Sequence, residues 1–287
     1  MIKDFFIVTK FVLSFAVSLS ALFAYIMAKG EIGLDMLLAT FAVLLVAMGV
    51  STLNQVQEYK SDAKMDRTKN RPIASGRMTP QNGLILGIAL IVLAMVFIYL
   101  LLGLTGVNIF MFAFIWYNAM YTPLKKKSAL AVVPGAILGV IPPAIGWLVA
   151  GHTLLELEFI ALALYFFIWQ VPHFWLLVML FHGDYKDGGY PTAMRLFGQA
   201  SLQRLTFVWL MFTIQAGVFL VWAFQVYTIT AFLCVLVGIW AFISAFELLK
   251  ERFQLTDARA VFWKINAAFL LIVILLSIDE YIKHHIL

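Results

Sequence analysis

Long apolar stretches separated by polar connections dominate the chain. A helix needs about 20 mostly apolar residues to cross the hydrocarbon core of a membrane. Nine stretches approach that length, over residues 6–28, 34–53, 83–102, 107–121, 130–150, 159–181, 205–224, 227–248 and 261–282. The pattern predicts an all-α, polytopic membrane protein in which residues 1–287 form a single transmembrane domain of about nine helices.

The composition agrees with a membrane protein. Hydrophobic residues make up 63% of the chain and charged residues 12%, whereas soluble domains are about half apolar and about a quarter charged. So few charges cannot cover a soluble surface, and membrane lipid is the expected surrounding; no nucleic-acid partner is expected. The single cysteine, Cys234, excludes an intrachain disulfide.

Positive charge is distributed unevenly between the two sides of the predicted bundle. Among the 20 lysines and arginines, Lys29 and Lys283 alone belong to the side with short connections. All the others are near the N-terminus or the long connections, residues 54–82, 122–129, 182–204 and 249–260. Because positive residues favour the cytoplasmic side, the N-terminus and the long loops are expected in the cytoplasm and the C-terminus outside.

Four oxygen-bearing side chains recur at intervals of four residues where the second apolar stretch ends: Asn54, Glu58, Asp62 and Asp66. Residues four apart share a helix face, and Mg²⁺ takes one or two carboxylates together with substrate phosphate. The cations that follow can bind phosphate; they are Arg67, Lys69 and Arg71. Carboxylates followed by cations therefore indicate a diphosphate-binding site. The alternative interpretation of the same residues is a solvated loop whose charges form ion pairs.

Two further groups lie at the same predicted side. Asp184 and Asp187 follow the sixth apolar stretch and can hold a second Mg²⁺ ion. His173 lies deeper in the same stretch, beside a proline, and two interpretations remain open: it packs in the core, or it is a ligand. Tyr117 and Tyr121 share a helix face, and aromatic faces stabilise cations. The lysines that follow are a membrane anchor or further diphosphate ligands: Lys125, Lys126 and Lys127.

At these residues the chain resembles the UbiA-type membrane prenyltransferase superfamily. The segment 62–72, together with 121–127, 141–147 and 172–185, is most similar to its protoheme IX farnesyltransferase subfamily. Glu58 departs from the aspartate common in the family. The resemblance implies a UbiA-type fold around a central cavity in the inner membrane, and farnesyl transfer from farnesyl diphosphate to heme b. It also implies transient contact with heme A synthase or oxidase assembly proteins.

The resulting hypothesis gives each residue a role. Asn54, Glu58 and Asp62 hold one Mg²⁺ ion, and Asp184, with Asp187, holds another. The diphosphate ligands are Arg67, Lys69, Arg71, Lys125 and Lys126. Tyr117 or Tyr121 faces the allylic cation, and His173 orients heme or ligates its iron.

Two rivals remain: a UbiA-type enzyme with an aromatic, quinone-precursor acceptor, and a transporter. Transporter sites lie near the membrane midplane, whereas the ionisable clusters here lie at one end of the helices, which disfavours transport.

Overall fold

The computed structural model describes residues 2–286, which are mostly helical and contain no strand. The helices are α1 (Ile2–Val8), α2 (Phe11–Lys29), α3 (Leu34–Asp62), α4 (Pro80–Phe114), α5 (Thr122–Leu124), α6 (Val132–Gly135), α7 (Ile141–Val149), α8 (Leu157–Leu180), α9 (His182–Asp187), α10 (Ala193–Phe197), α11 (Gln199–Ala223), α12 (Thr228–Ala245) and α13 (Leu255–Ile286). A π-helix, Ile115–Tyr121, links α4 to α5, and 3₁₀ turns occupy Ala136–Gly139 and Phe246–Leu249.

Nine membrane crossings follow from eight long apolar helical segments. The longest, Pro80–Leu124, has 45 residues, which at 1.5 Å per residue is about 68 Å and more than twice the hydrocarbon thickness. Gly103 breaks it with φ 57° and ψ −143°. Beyond the break, a β-carbon on Gly106 would lie 3.1 Å from the carbonyl oxygen of Ile98, so the chain reverses. The prediction of about nine transmembrane helices is confirmed for the described residues.

Several boundaries differ from the predicted stretches, among them those of the first, second and fifth. The first stretch is divided, because Lys10 adopts a left-handed conformation with φ 47° between α1 and α2. The second continues as α3 to Asp62, which carries the polar side chains on a regular helix. The fifth is divided into α6, a 3₁₀ turn and α7, where three prolines lack the amide hydrogens that a continuous helix needs.

Small residues let the helices around α3 approach closely, as is common in membrane proteins. A β-carbon on Gly49 of α3 would lie 2.9 Å from the carbonyl oxygen of Gly87 of α4. Likewise, Gly146 of α7 lies against the backbone of Ala21 in α2. The Gly49 contact holds α3 against α4, and the last two turns of α3 therefore carry a fixed set of side chains to the end of the bundle.

Two long connections cover the end of the bundle where α3 and α8 finish. Residues 63–79 follow α3, and residues 181–198 follow α8 and contain α9 and α10. The two connections contact each other, since the Arg67 guanidinium lies 4.7 Å from the ring centroid of Phe181. We call this end of the bundle the loop end. α13 packs against α2 and α8 and so joins the first helices to the last.

Candidate active site

The predicted polar face of α3 is buried at the loop end. Asn54, Glu58 and Asp62 are 1%, 4% and 1% exposed, and Nδ2 of Asn54 donates to Oε2 of Glu58 at 2.9 Å. One helical turn separates each member from the next, so the backbone of α3 alone aligns them. Because buried carboxylates require partners, the surrounding cations decide what this face can do.

Three cations from three different segments contact this face. Nζ of Lys125 lies 2.8 Å from Oε2 of Glu58, a guanidinium nitrogen of Arg71 lies 2.8 Å from Oδ2 of Asp62, and Nζ of Lys10 donates to Oδ1 of Asn54 at 3.1 Å. Burial, followed by repulsion from Arg71 and Lys125, lowers the pKa of Lys10 to about 7. Three basic side chains thus meet two carboxylates, and because a bound anion would favour the charged form of Lys10, this set of side chains suits an anionic ligand.

The connection after α8 reaches the same face. The Tyr190 hydroxyl donates to Oε1 of Glu58 at 2.9 Å, and burial, followed by the charge of Glu58, raises the pKa of that hydroxyl. The backbone amide of Arg67 donates weakly to Oδ1 of Asp184 at 3.4 Å. The two carboxylate-bearing segments, far apart in sequence, are therefore brought together at the loop end.

The π-helix positions the predicted tyrosines beside these groups. Gln57 of α3 and Asn118 of the π-helix exchange two hydrogen bonds, at 3.0 and 3.1 Å, and so fix the two elements together. The rings of Tyr117 and Tyr121 are 5.8 Å apart, and Nζ of Lys125 lies 5.5 Å from the Tyr121 ring centroid. π-Helical turns are frequent at functional sites, and this one carries two aromatic faces to the charged cluster.

The remaining predicted residues lie at the rim or farther away. Lys69 pairs with exposed Asp66 at 2.5 Å, exposed Lys126 donates to the Gln57 carbonyl at 3.4 Å, and Asp187 is exposed. His173 lies deeper in α8 and bonds Asn266 of α13. These four predicted ligands thus stand outside the buried cluster.

The donor chemistry fits Mg²⁺ held jointly with a phosphorylated ligand. Within residues 2–286, no three histidine, cysteine or acidic side chains lie close enough to hold a metal by themselves. Mg²⁺ commonly takes one or two carboxylates and fills its shell with water and substrate phosphate. The amide oxygen of Asn54 and the carboxylates of Glu58, Asp62 and Asp184 are ligands of that kind.

Sequence reasoning missed Lys10 and Tyr190 as site residues. In the sequence, Lys10 is a positive charge near the N-terminus and nothing more, because the turn that directs it to Asn54 has no glycine or proline. Tyr190 follows Gly188 and Gly189, a pair typical of a turn. A β-carbon on Gly188 would lie 2.8 Å from Sδ of Met65, so the absence of a side chain there lets the two connections meet.

Comparison with known proteins identifies relatives along most of the chain. The profile of the UbiA prenyltransferase family matches residues 16–271. A protoheme IX farnesyltransferase of Oleidesulfovibrio alaskensis is 37% identical over 61% of this chain and 62% of that protein, so the chain matches less than two thirds of that relative's length. A protoheme IX farnesyltransferase of Flavobacterium psychrophilum is 30% identical over 98% of this chain and 95% of that protein.

Solved structures support the same fold. A digeranylgeranylglyceryl phosphate synthase has a TM-score of 0.78 at 16% identity, over 98% of both chains. A UbiA homolog from Archaeoglobus fulgidus bound to GPP and Mg²⁺ has a TM-score of 0.73 at 12% identity, over 97% of this chain and 99% of that one. At such identities the likeness establishes the fold alone.

Proposed function

This chain belongs to the UbiA prenyltransferase family, and on that premise we propose that it transfers the farnesyl group of farnesyl diphosphate to heme b. The observation that carries the proposal is the buried face of Asn54, Glu58 and Asp62 with its three basic partners, Lys10, Arg71 and Lys125. The names of the curated relatives supply the acceptor, protoheme IX.

The proposed reaction balances with one water molecule. The C1–O bond of farnesyl diphosphate breaks, and diphosphate leaves with both electrons of that bond. The terminal carbon of a heme vinyl group bonds to C1 of the farnesyl group. Water oxygen then bonds to the inner vinyl carbon and releases one proton, which gives the hydroxyfarnesylethyl group of heme O.

The cations of the site are proposed to bind the diphosphate. Arg71 can bridge two phosphate oxygens with its planar guanidinium, while Lys10 and Lys125 act as point charges. Arg67, Lys69 and Lys126 lie at the loop end, outside the buried cluster, and are proposed to add positive charge there. Together they stabilise the negative charge that builds on the leaving group.

Asn54, Glu58 and Asp62 are proposed to hold one Mg²⁺ ion. Asp184, together with the more exposed Asp187, is proposed to hold a second. When bound, Mg²⁺ stabilises charge on phosphate oxygens as a Lewis acid. The chain's own contribution is the rigid placement of these ligands, since the first three sit on one helix. Tyr117 and Tyr121 are proposed to face the allylic carbon, where their ring faces can stabilise developing positive charge.

Several long apolar helices make this a multi-pass membrane protein. We propose that it lies in the inner membrane, with the loop end and the N-terminus in the cytoplasm and the C-terminus outside, because the loop end carries most of the positive charge. Its proposed substrates are farnesyl diphosphate and heme b, and a transient contact with heme A synthase or oxidase assembly proteins would pass on the product.

The test uses the full chain in lipid nanodiscs with heme b, farnesyl diphosphate and Mg²⁺. Mass spectrometry is expected to detect heme O, and EDTA is expected to abolish its formation until excess Mg²⁺ is added. Prenylation of 4-hydroxybenzoate, supplied in parallel, with heme unchanged would refute heme as the acceptor.

A matched pair of variants tests the carboxylate assignment. Asp62→Asn removes a buried charge from the site and is expected to reduce heme O formation on the order of 100-fold, the effect typical of losing one group that stabilises a transition state. Asp66→Asn removes an exposed charge four residues farther along the chain, in the connection after α3, and is expected to have little effect. Equal activity in the two variants would refute the assignment.

A further inference from the structure

His173 and Asn266 form a hydrogen-bonded pair between α8 and α13. Nδ1 of His173 lies 2.7 Å from Oδ1 of Asn266. The amide nitrogen of Asn266 donates to the backbone carbonyl of Phe262 in its own helix, so the amide oxygen is the atom left to face the imidazole. A carbonyl oxygen can only accept, and Nδ1 of His173 therefore carries the hydrogen.

This hydrogen bond leaves Nε2 of His173 without a proton and with an available lone pair. Among residues 2–286, Nε2 makes no hydrogen bond. The imidazole is half-buried, and its centroid is 4.8 Å from the Trp169 ring and 5.1 Å from the Phe262 ring. A neutral imidazole nitrogen in apolar surroundings is a good ligand for a metal centre and a poor partner for bulk water.

Two more polar atoms, on the turn of α8 that precedes His173, lack partners. Nε1 of Trp169 and Oε1 of Gln170 are buried without a hydrogen bond in the described part of the chain. Buried polar atoms are normally hydrogen-bonded, so these two exceptions call for an explanation, and a ligand that binds against them would supply one. Trp169 also stacks on Phe269 with centroids 3.9 Å apart and planes at 16°, which makes a flat, rigid aromatic wall next to the imidazole.

We propose that Nε2 of His173 is an axial ligand of the iron of the porphyrin acceptor, and that Asn266 is a positioning residue that fixes the imidazole tautomer. This inference rests on the proposed function, because it concerns how the same enzyme holds its second substrate. Histidines that bind metals usually donate their other ring N–H to a carbonyl or carboxylate, and His173 has that partner. Imidazole is also a common axial ligand of heme iron.

The depth of His173 agrees with this role. Phe181, eight residues farther along, lies against the Arg67 guanidinium at the loop end. Eight residues of helix correspond to about 12 Å, so His173 lies deeper than the proposed diphosphate site. Iron occupies the centre of the porphyrin, and a ring held at His173 can direct a peripheral vinyl group toward the diphosphate while its face lies along the aromatic wall.

The experiment measures heme ligation by optical absorption and resonance Raman spectroscopy, separately from turnover. The full chain in nanodiscs is titrated with heme b, and the wild type is expected to show a histidine-ligated Soret spectrum. His173→Gly is expected to lose that spectrum and to regain it with added imidazole, which an unfolded variant would not do. His152→Ala, which removes a histidine paired with Glu156 on a different connection, is the matched control and should match the wild type.

Asn266 is tested by a variant that keeps the ligand but loses its hydrogen bond. Asn266→Leu is expected to weaken heme binding on the order of 10- to 100-fold and to lower the iron–histidine stretching frequency. A merely structural Asn266 would leave that frequency unchanged.

The outcomes separate this inference from the proposed function. If the wild type makes heme O and His173→Gly keeps the wild-type heme spectrum, the axial-ligand inference is overturned and the function stands. If His173 ligates heme but no heme O forms, the function is overturned, and of the inference only the heme ligation by His173 stands. If the wild type shows neither histidine ligation nor heme O, both are overturned.

Discussion

Tyr190→Phe removes one hydroxyl and tests whether the connection after α8 closes the site. That hydroxyl is 2.9 Å from Oε1 of Glu58. Hydrogen bonds to charged groups contribute about 1.5–3 kcal/mol. Because Tyr190 is half-exposed, water can partly replace it, and we expect a value near 1.5 kcal/mol, which corresponds to about tenfold in an equilibrium constant.

The assay compares steady-state kinetics of heme O formation in Tyr190→Phe and Tyr185→Phe. Tyr185 lies on the same connection, and its hydroxyl makes no hydrogen bond within residues 2–286. Tyr190 holds the loop over Glu58, so its loss should raise the KM for farnesyl diphosphate about tenfold with a smaller effect on kcat. The raised pKa of Tyr190 keeps the hydroxyl a donor at neutral and mildly alkaline pH.

Two results would refute this reasoning. Equal KM values in the two variants would mean that the hydrogen bond does not hold the loop in place. A fall in kcat with KM unchanged would mean that Tyr190 acts on the reacting atoms rather than on closure.

Two further predictions concern the cations. Arg71→Met leaves the buried Asp62 carboxylate unpaired, which typically costs 3–5 kcal/mol, so we expect the free energy of unfolding to fall by about 3 kcal/mol in denaturant titrations. Lys69→Met breaks a fully exposed pair, which water and salt screen, and should lower the free energy of unfolding far less; equal losses in the two variants would contradict the burial argument. Lys10→Met removes a cation whose charged form burial disfavours, so we expect a melting temperature no lower than that of the wild type. Its Kd for inorganic pyrophosphate, from calorimetry, should rise on the order of tenfold; an unchanged Kd would exclude Lys10 as a phosphate ligand.

The parts of the site that depend on local geometry could be predicted from the sequence. The four-residue spacing of Asn54, Glu58 and Asp62 places them on one face of any helix, and α3 extends far enough to carry all three. The short connection after residue 102 was also predictable, because Gly103 interrupts an apolar run too long for one crossing. In both cases the information lies within a few turns of chain.

The parts that depend on distant contacts could not be predicted. Lys10 reaches Asn54 through a left-handed turn that no glycine or proline marks. The hydrogen bonds from Tyr190 to Glu58 and between His173 and Asn266 join residues 132 and 93 positions apart. A single sequence carries no signal for such pairs, since each depends on how separate helices pack.

The ion pairs of Glu58 with Lys125 and of Asp62 with Arg71 bear on turnover as well as on binding. In the unliganded enzyme each acid neutralises a base, so the site remains charge-compensated beside the lipid after the product departs. On the proposed function, an incoming diphosphate draws Lys125 and Arg71 away from Glu58 and Asp62, and the two carboxylates then become free to coordinate Mg²⁺. Because the ion pairs must be broken for diphosphate to bind, the affinity of the site for released diphosphate is lowered, and product inhibition is weaker as a result.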